Sequence, residues 1–406
     1  MEIGTVIFKL PPSGLLIRDL TLAALSTLNG SGLPANMKYE GDRVVVEAPR
    51  GLEYMLLQAI FSSAKTVAKS KISQGVFSPR PNKNDANTFT KFSQETGSPI
   101  SSNKSFLDFA FQVLDWAEKE SLSSTNKFLS SYSSIQVKPS KLSLGGDKYA
   151  AVQLFKVEKY EYGRDYMESY GAVKMQIRHD IYWLALLMAG FALTYSGFAD
   201  NEMVFTTLPE DFITLTYSSL ACKDYMHLFS NISNIVYSGE RGISGLVARI
   251  RRLDPLIAFV QLLSYMLARE WSSEVPLNEV SRFPINLYRV RIGNTFTLIE
   301  RSLGDLAPFI QFAYQLLSRE PEGTRLLEKI EELCRCTLTT RAGSTRRCEM
   351  SYSEYYTLTM KLYQAISGSY NAYSLAYELG RILTRANGLR VFRESELKVL
   401  IDVLVA

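Results

Sequence analysis

Two histidines and four cysteines are all the imidazoles and thiols that this chain of 406 residues offers to catalysis or metal binding. His179 directly precedes Asp180, a pairing that metal-dependent phosphohydrolases use. Such sites complete their metal shell with further histidines, and here only His227 remains. Cys334 and Cys336 form a C-x-C pair, with Cys348 beyond them and Cys222 far upstream. A structural zinc site takes four ligands in paired spacings, and the histidine nearest to Cys334, Cys336 and Cys348 lies over a hundred residues away. The glycine-spaced GERGISG at 239–245 matches no dinucleotide fingerprint, and no phosphate-binding G-x-x-x-x-G-K-[ST] occurs. A serine or cysteine nucleophile needs a neighbouring base, which nothing in the spacing nominates. Carboxylate pairs stay open, because their pairing is spatial. The expectation is a chain that is not an enzyme and takes no metal or cofactor.

Charge offers more. Lys and Arg number 45 against 41 Asp and Glu, a net +4, yet the cations are grouped. A polyanion binder needs cations that reach phosphates, since released counterions supply much of the affinity. The first group is Lys65, Lys69, Lys71, Arg80, Lys83 and Lys91, within a Ser-, Asn-, Pro- and Gly-rich stretch read as a basic loop over 65–104. Its only acids are Asp85 and Glu95, and Phe77, Phe89 and Phe92 are interleaved with its charges. Arg249, Arg251 and Arg252 form a second group. In the third, Arg282, Arg289 and Arg291, the last two alternate with Val290 and Ile292, so both should point to one face of a strand. Arg341, Arg346 and Arg347 sit in TLTTRAGSTRRC, whose Gly343 and hydroxyls suit phosphate contact. Taken singly, each group also fits a solvated face. Aromatic content of 12%, with 23 Tyr and 21 Phe, fits base stacking, partner contact or Tyr-padded helical cores.

The elements that must position these residues follow from periodicity. Glu2 to Leu10 is a β-branched run ended by Pro11-Pro12, and Leu15 to Leu28 has helical spacing. Arg43 to Ala48 reads as a strand, and Gly51 to Lys69 as a helix with Leu52, Met55, Leu56, Ala59 and Ile60 on one side. Phe106 to Lys119 is helical, followed by a Ser-rich patch. Lys148 to Tyr162 reads as strand-like after a Gly145-Gly146 turn, and Phe205 to Tyr217 is less defined. Beyond Gly245 helices dominate: Asp254-Pro255 through Trp271, Asp305 to Ser318, Thr324 to Cys336, Ser353 to Ile366, Asn371 to Ala386, and a last one capped by Ser395. The expected class is α+β: a mixed α/β N-terminal domain over 1–245 and a C-terminal all-helical bundle over 246–406.

An uncharged run, IYWLALLMAGFALTYSGFA from Ile181 to Ala199, is long enough to consider as a membrane span. Its Tyr, Thr and Ser content and lack of basic anchors favour a central helix buried on every side. MEIGTVIFKLPPSG at the start lacks the positive n-region of a signal peptide, and four thiols make no disulfide framework. Both point to a cytoplasmic protein without a membrane partner.

The order of parts, together with FPINLYRVRIGNTFTLIERSLGDLAPFI at 283–310 and the terminal helices, resembles the large subunit of archaeal type I-A CRISPR interference (Cascade) complexes. The resemblance covers the plan of the chain and carries no individual residue across. It implies a non-catalytic subunit of an RNA-guided antiviral effector, with DNA, guide RNA and other effector subunits as partners. Such subunits read the short motif beside the target and hold the displaced strand, while base pairing reads sequence. The alternative expectation is a structural or assembly protein whose bundle binds only protein partners.

Overall fold

The computed structural model describes residues 3–28, Leu33, 35–73, 76–98, 104–138, 141–160, 176–199, 202–209, 256–271, 284–293, 296–338, 351–383 and 392–405. The chain divides into two compact units, Met1–Ser233 with Asn286–Ser302, and Asn234–Ile285 with Leu303–Ala406. The class is α+β, with a helical C-terminal region. The hairpin at 286–302, which chain order placed with the helices, belongs to the first unit.

In the first unit, strand β1 (Ile3–Lys9) is followed by helix α1 (Leu16–Ser26), strand β2 (Asn36–Tyr39), strand β3 (Arg43–Pro49) and helix α2 (Glu53–Ser73). The three strands form an antiparallel sheet in the order β1-β3-β2. Every residue of α1 is buried, including Arg18, whose guanidinium donates to the carbonyls of Pro11 (2.6 Å) and Gly41 and to Tyr39 Oη (2.6 Å). Those acceptors satisfy a charge that would otherwise be costly to bury.

The stretch read as a loop over 65–104 is largely helical. Helix α2 runs on to Ser73, and helix α3 spans Lys83–Thr96. It is held by its ends more than by an apolar stripe. Asn82 accepts from the Asp85 amide at 2.9 Å, and Gly97 closes it in the left-handed region at φ 68°. Helix α4 (Phe106–Ser123) begins with a reciprocal Ser105–Asp108 capping box, and the Ser-rich patch after it is helix α5 (Thr125–Tyr132).

Strands β4 (Ile135–Lys138), β5 (Lys141–Leu144), β6 (Tyr149–Ala150) and β7 (Gln176–His179) make a second sheet in the order β4-β5-β7-β6. The strand-like reading of 148–162 shrinks to β6, followed by a 3-10 segment at Gln153–Tyr160. The uncharged run divides into helix α6 (Ile181–Thr194) and strand β8 (Tyr195–Ala199). Helix α6 packs against α1, α2, α4 and α5, which is why it is apolar all round. No helix among the described residues is long and apolar enough to cross a membrane. Strand β9 (Glu202–Thr207) then joins β8 and the hairpin of β10 (Pro284–Ile292) and β11 (Phe296–Asp305), in the order β11-β10-β9-β8.

The second unit is built from helices α7 (Leu256–Trp271), α8 (Ala307–Leu317), α9 (Glu322–Leu338), α10 (Tyr352–Ile366), α11 (Ala372–Leu383) and α12 (Glu394–Val405). Helix α7 packs on α8, α9 and α10, while α12 packs on α9 and α11. The expected inward face of α9, Leu326, Leu327, Ile330 and Leu333, is buried. The C-x-C pair splits. Cys334 is a buried free thiol whose pKa burial pushes up, and Cys336 is disulfide-bonded, a linkage the thiol spacing did not disclose.

Candidate nucleic-acid interface

The end of α2, the segment after it and α3 form the described part of the basic stretch. Its backbone is fixed. Tyr195 Oη donates to the Phe77 carbonyl (2.8 Å), the Leu107 amide to Ser78 Oγ (3.3 Å), and the Phe106 amide to the Pro79 carbonyl (3.0 Å). Phe89 and Phe92 are buried against Phe109 and Trp116 of α4, which removes them from any stacking role. Phe77 differs. Its ring is 61% exposed and meets Phe198 at 5.0 Å.

The cations of this stretch fall into two sets. Lys69, Arg80, Lys83 and Lys91 are exposed. Neither acid of the stretch neutralises them: Asp85 is buried, and Glu95 is bound to Lys148 at 2.6 Å. The exposed side of α3 carries Lys83, Asn87, Thr90, Lys91 and Gln94, and its one acid, Glu95, is taken by Lys148, so among the described residues Lys83 and Lys91 have no carboxylate partner. Lys65 and Lys71 belong to the other set. Lys65 reaches Glu118 and Asp115 of α4, the latter at 3.2 Å. Burial acts to lower its pKa, but its hydrogen bonds to both carboxylates outweigh this and hold the ammonium above its ordinary value. Lys71 lies wholly inside, where Nζ donates to the carbonyls of Ala192 (2.6 Å), Leu193 (3.2 Å) and Tyr195 (2.8 Å). Desolvation pushes its pKa down to about 7. A phosphate cannot reach it without unfolding the end of α6.

Arg289 and Arg291 do share a face of β10, as the alternation predicts, but both turn to Glu202 of the neighbouring β9. Arg289 Nε donates to Glu202 at 2.9 Å and Nη1 to Glu300 at 2.7 Å, and Arg291 Nη2 donates to Glu202 at 2.7 Å. Glu202 is 3% exposed and Arg289 13%, so these pairs lock β9, β10 and β11 together. Beside them Asp19 of α1 accepts from Tyr288 Oη and, at 3.4 Å, from Thr207 Oγ1. Removing one partner of a buried pair is expensive, because the other charge stays behind. Glu202→Ala is expected to cost about 2 kcal/mol, less than a complete orphaning since Glu300 still holds Arg289. Urea unfolding of the variant measures it.

The His-Asp pair is architectural. Asp180 caps α6, with Oδ1 accepting from the Trp183 amide at 2.9 Å and Oδ2 from Ser131 Oγ at 2.6 Å. His179 is wholly buried, with Nδ1 2.9 Å from the Asp180 carbonyl, and desolvation pushes its pKa down to about 4. Among the described residues no cluster of His, Cys, Asp or Glu is arranged to hold a metal ion. Arg249, Arg251, Arg252, Arg282, Arg341, Arg346 and Arg347 lie outside the described residues. No family model matches this chain, and neither a curated protein nor a solved structure matches it.

Proposed function

We propose that this protein is a non-catalytic subunit of an RNA-guided CRISPR effector complex, working in the cytoplasm, and that it contacts target DNA through the positive face of α2 and α3. The observation that carries this reading is the uncompensated set Lys69, Arg80, Lys83 and Lys91, whose only neighbouring acids in sequence are buried or already paired. Several other exposed cations of the first unit meet carboxylates, Lys38 with Glu47 (2.6 Å), Arg43 with Glu40 (2.7 Å) and Lys119 with Asp115 (2.6 Å), whereas Lys104, Lys127 and Lys138 stand singly without one among the described residues. Cations left without carboxylates on a rigid backbone are what phosphate contact requires. The exposed Phe77 ring adds a surface of the kind on which unpaired bases stack.

The test is a gel-shift titration with duplex, single-stranded and forked DNA at several salt concentrations. Replacing Lys69, Arg80, Lys83 and Lys91 with serine is expected to reduce the slope of log affinity against log salt by about 0.9 for each duplex phosphate that is no longer neutralised. The melting temperature should hold, because exposed charges contribute little to stability. An unchanged slope would remove this face from the proposal. In the same assay, neutralising Arg341, Arg346 and Arg347 together should weaken binding broadly, and unchanged affinity would exclude that segment.

A second reading, an assembly protein that meets only protein partners, rests on α11. There Tyr373 and Tyr377, one turn apart, are 61% and 68% exposed. Apolar association tolerates salt, whereas phosphate contact does not, so the same titration separates the two.

A further inference from the structure

Strand β1 is the outer strand of its sheet, with β3 on one side and no described strand on the other. Two hydrogen bonds establish which of its backbone groups are spent. The Leu10 amide donates to the Asp42 carbonyl (2.8 Å), and the Glu40 amide to the Arg43 carbonyl (2.9 Å). In the antiparallel registers Phe8↔Val44 and Lys38↔Val45, this directs the even-numbered residues of β3 toward β1 and the odd-numbered ones toward β2. Gly4, Val6 and Phe8 therefore bond to β3. The N–H and C=O groups of Thr5 and Ile7 point away from it, roughly 6.8 Å apart along the strand.

They open onto a cleft of about 610 Å³. Its other walls are the start of α2, with Glu53 and Tyr54, and one stripe of α5 that includes Asn126, Leu129 and Ser130. That volume lies in the range of ligand pockets, ~300–1,000 Å³. The edge is protected only at its C-terminal end, where Lys9 closes the strand. From Ile3 to Phe8 it has no charge and no proline, and Ile3 and Ile7 are 69% and 37% exposed. Free edges are ordinarily blunted by lysine, proline or a bulge, because an unpaired row of amides recruits another strand.

We infer that this cleft is a docking site for an extended peptide from a partner protein, which adds to β1 as a further strand and presents a basic side chain to Glu53. Two outward amide–carbonyl pairs at strand spacing are matched by another peptide backbone and not by a phosphate or a compact metabolite. The charge preference follows from the walls. Among the described residues Glu53 is the only charged one lining the cleft; its Oε1 lies 3.2 Å from where a Cβ on Gly4 would stand, at the rim of the strand, where the Arg50 stem also comes to 3.3 Å. The hydroxyl-rich stripe of α5 accommodates small or polar side chains, and Leu129 offers one apolar contact.

The experiment is amide exchange on the full chain, with and without an acetylated, amidated hexapeptide Thr-Val-Lys-Val-Thr-Val. Its comparison peptide carries glutamate in place of the lysine. The Thr5 and Ile7 amides should slow by tenfold or more at saturating peptide, while Val6 and Phe8, already bonded to β3, stay unchanged. The glutamate peptide should bind at least fivefold more weakly, and Glu53→Gln should remove that preference. Ser130→Trp fills the cleft from an exposed helix position, so it should abolish the protection without shifting the melting temperature. Absence of protection at Thr5 and Ile7 with millimolar concentrations of both peptides would overturn the inference. So would protection that rises with protein concentration alone, which would put a second copy of this chain on the edge.

Discussion

Gly190→Ala is expected to destabilise the N-terminal unit by about 4 kcal/mol or more, a size that marks a specific mechanism and not an average substitution. Gly190 lies in α6 where that helix crosses α1. A Cβ there would stand 2.0 Å from the Leu20 carbonyl oxygen and 2.7 Å from Leu20 Cα. Both are backbone atoms, so no side-chain rotation relieves the overlap, and the two helices must separate. Separation is costly here because α1 is buried along its whole length and α6 is packed from several sides. Gly380→Ala in α11 is the control. Its Cβ would meet only Leu397 Cδ1 at 3.6 Å, an ordinary contact. Helix propensity then dominates, and a gain of up to about 1 kcal/mol is expected. Urea unfolding of the two variants reads both; equal stabilities would mean that α1 and α6 do not approach this closely.

Lys71→Met is expected to have the next largest effect, and one that depends on pH. With a folded-state pKa near 7, the Lys71 amine is largely neutral in the native protein at pH 8.5. Methionine there removes the two N–H donors of the neutral amine, which are shared among the carbonyls of Ala192, Leu193 and Tyr195. At ~1–3 kcal/mol for each lost donor, this is roughly 4 kcal/mol where the unfolded lysine is neutral as well, and less at pH 8.5, where the unfolded chain still holds its proton. At pH 7 desolvation of the ammonium already weighs against the wild type, so the deficit of the variant narrows. The direction follows from linkage: the folded pKa lies below the ordinary lysine value of 10.5, so the unfolded chain holds the extra proton between the two. Stability from this group is fully present above the unfolded value and is lost as pH falls toward 7. The slope is at most about 1.4 kcal/mol per pH unit. The wild type should therefore gain about 2 kcal/mol more than Lys71→Met between pH 7 and 8.5. Parallel stability curves would mean that the amine keeps its proton inside.

Where the chain buries an apolar stripe, its elements were legible in the sequence. Helix α4 buries Phe106, Phe109, Ala110, Val113 and Leu114 as its spacing predicts, and α6 is apolar because it is surrounded. Helices α3 and α5 were not legible, because serine, asparagine and threonine dominate them; α3 is capped at both ends, while α5 has no side-chain N-cap and buries only Phe128, Ser131 and Tyr132. Strand β2 is short, and only Met37 of its residues is buried. Within the basic stretch, residue type could not separate Lys71 from Lys69. A signal was nonetheless present: Leu57, Phe61, Ala64 and Ala68 form one stripe of α2, and the next inward position is Lys71. Arg289 and Arg291 were placed on a common face correctly, yet their partner Glu202 lies far away in sequence and was visible only once β9 and β10 were paired.

The return of the chain at Asn286–Ser302 has a consequence for synthesis. A ribosome that has made the first 233 residues has released β9 but not the strand that pairs with it. Glu202 then awaits both arginines, and Asp19 awaits Tyr288. The early part of the chain must keep a raw strand edge, and Glu202 without its arginines, while the following segment, Asn234–Ile285, is translated. Domains usually complete themselves in the order in which they emerge. Here the first unit can close only after part of the second has been made, so a cut within Asn234–Ile285 leaves neither half able to finish on its own.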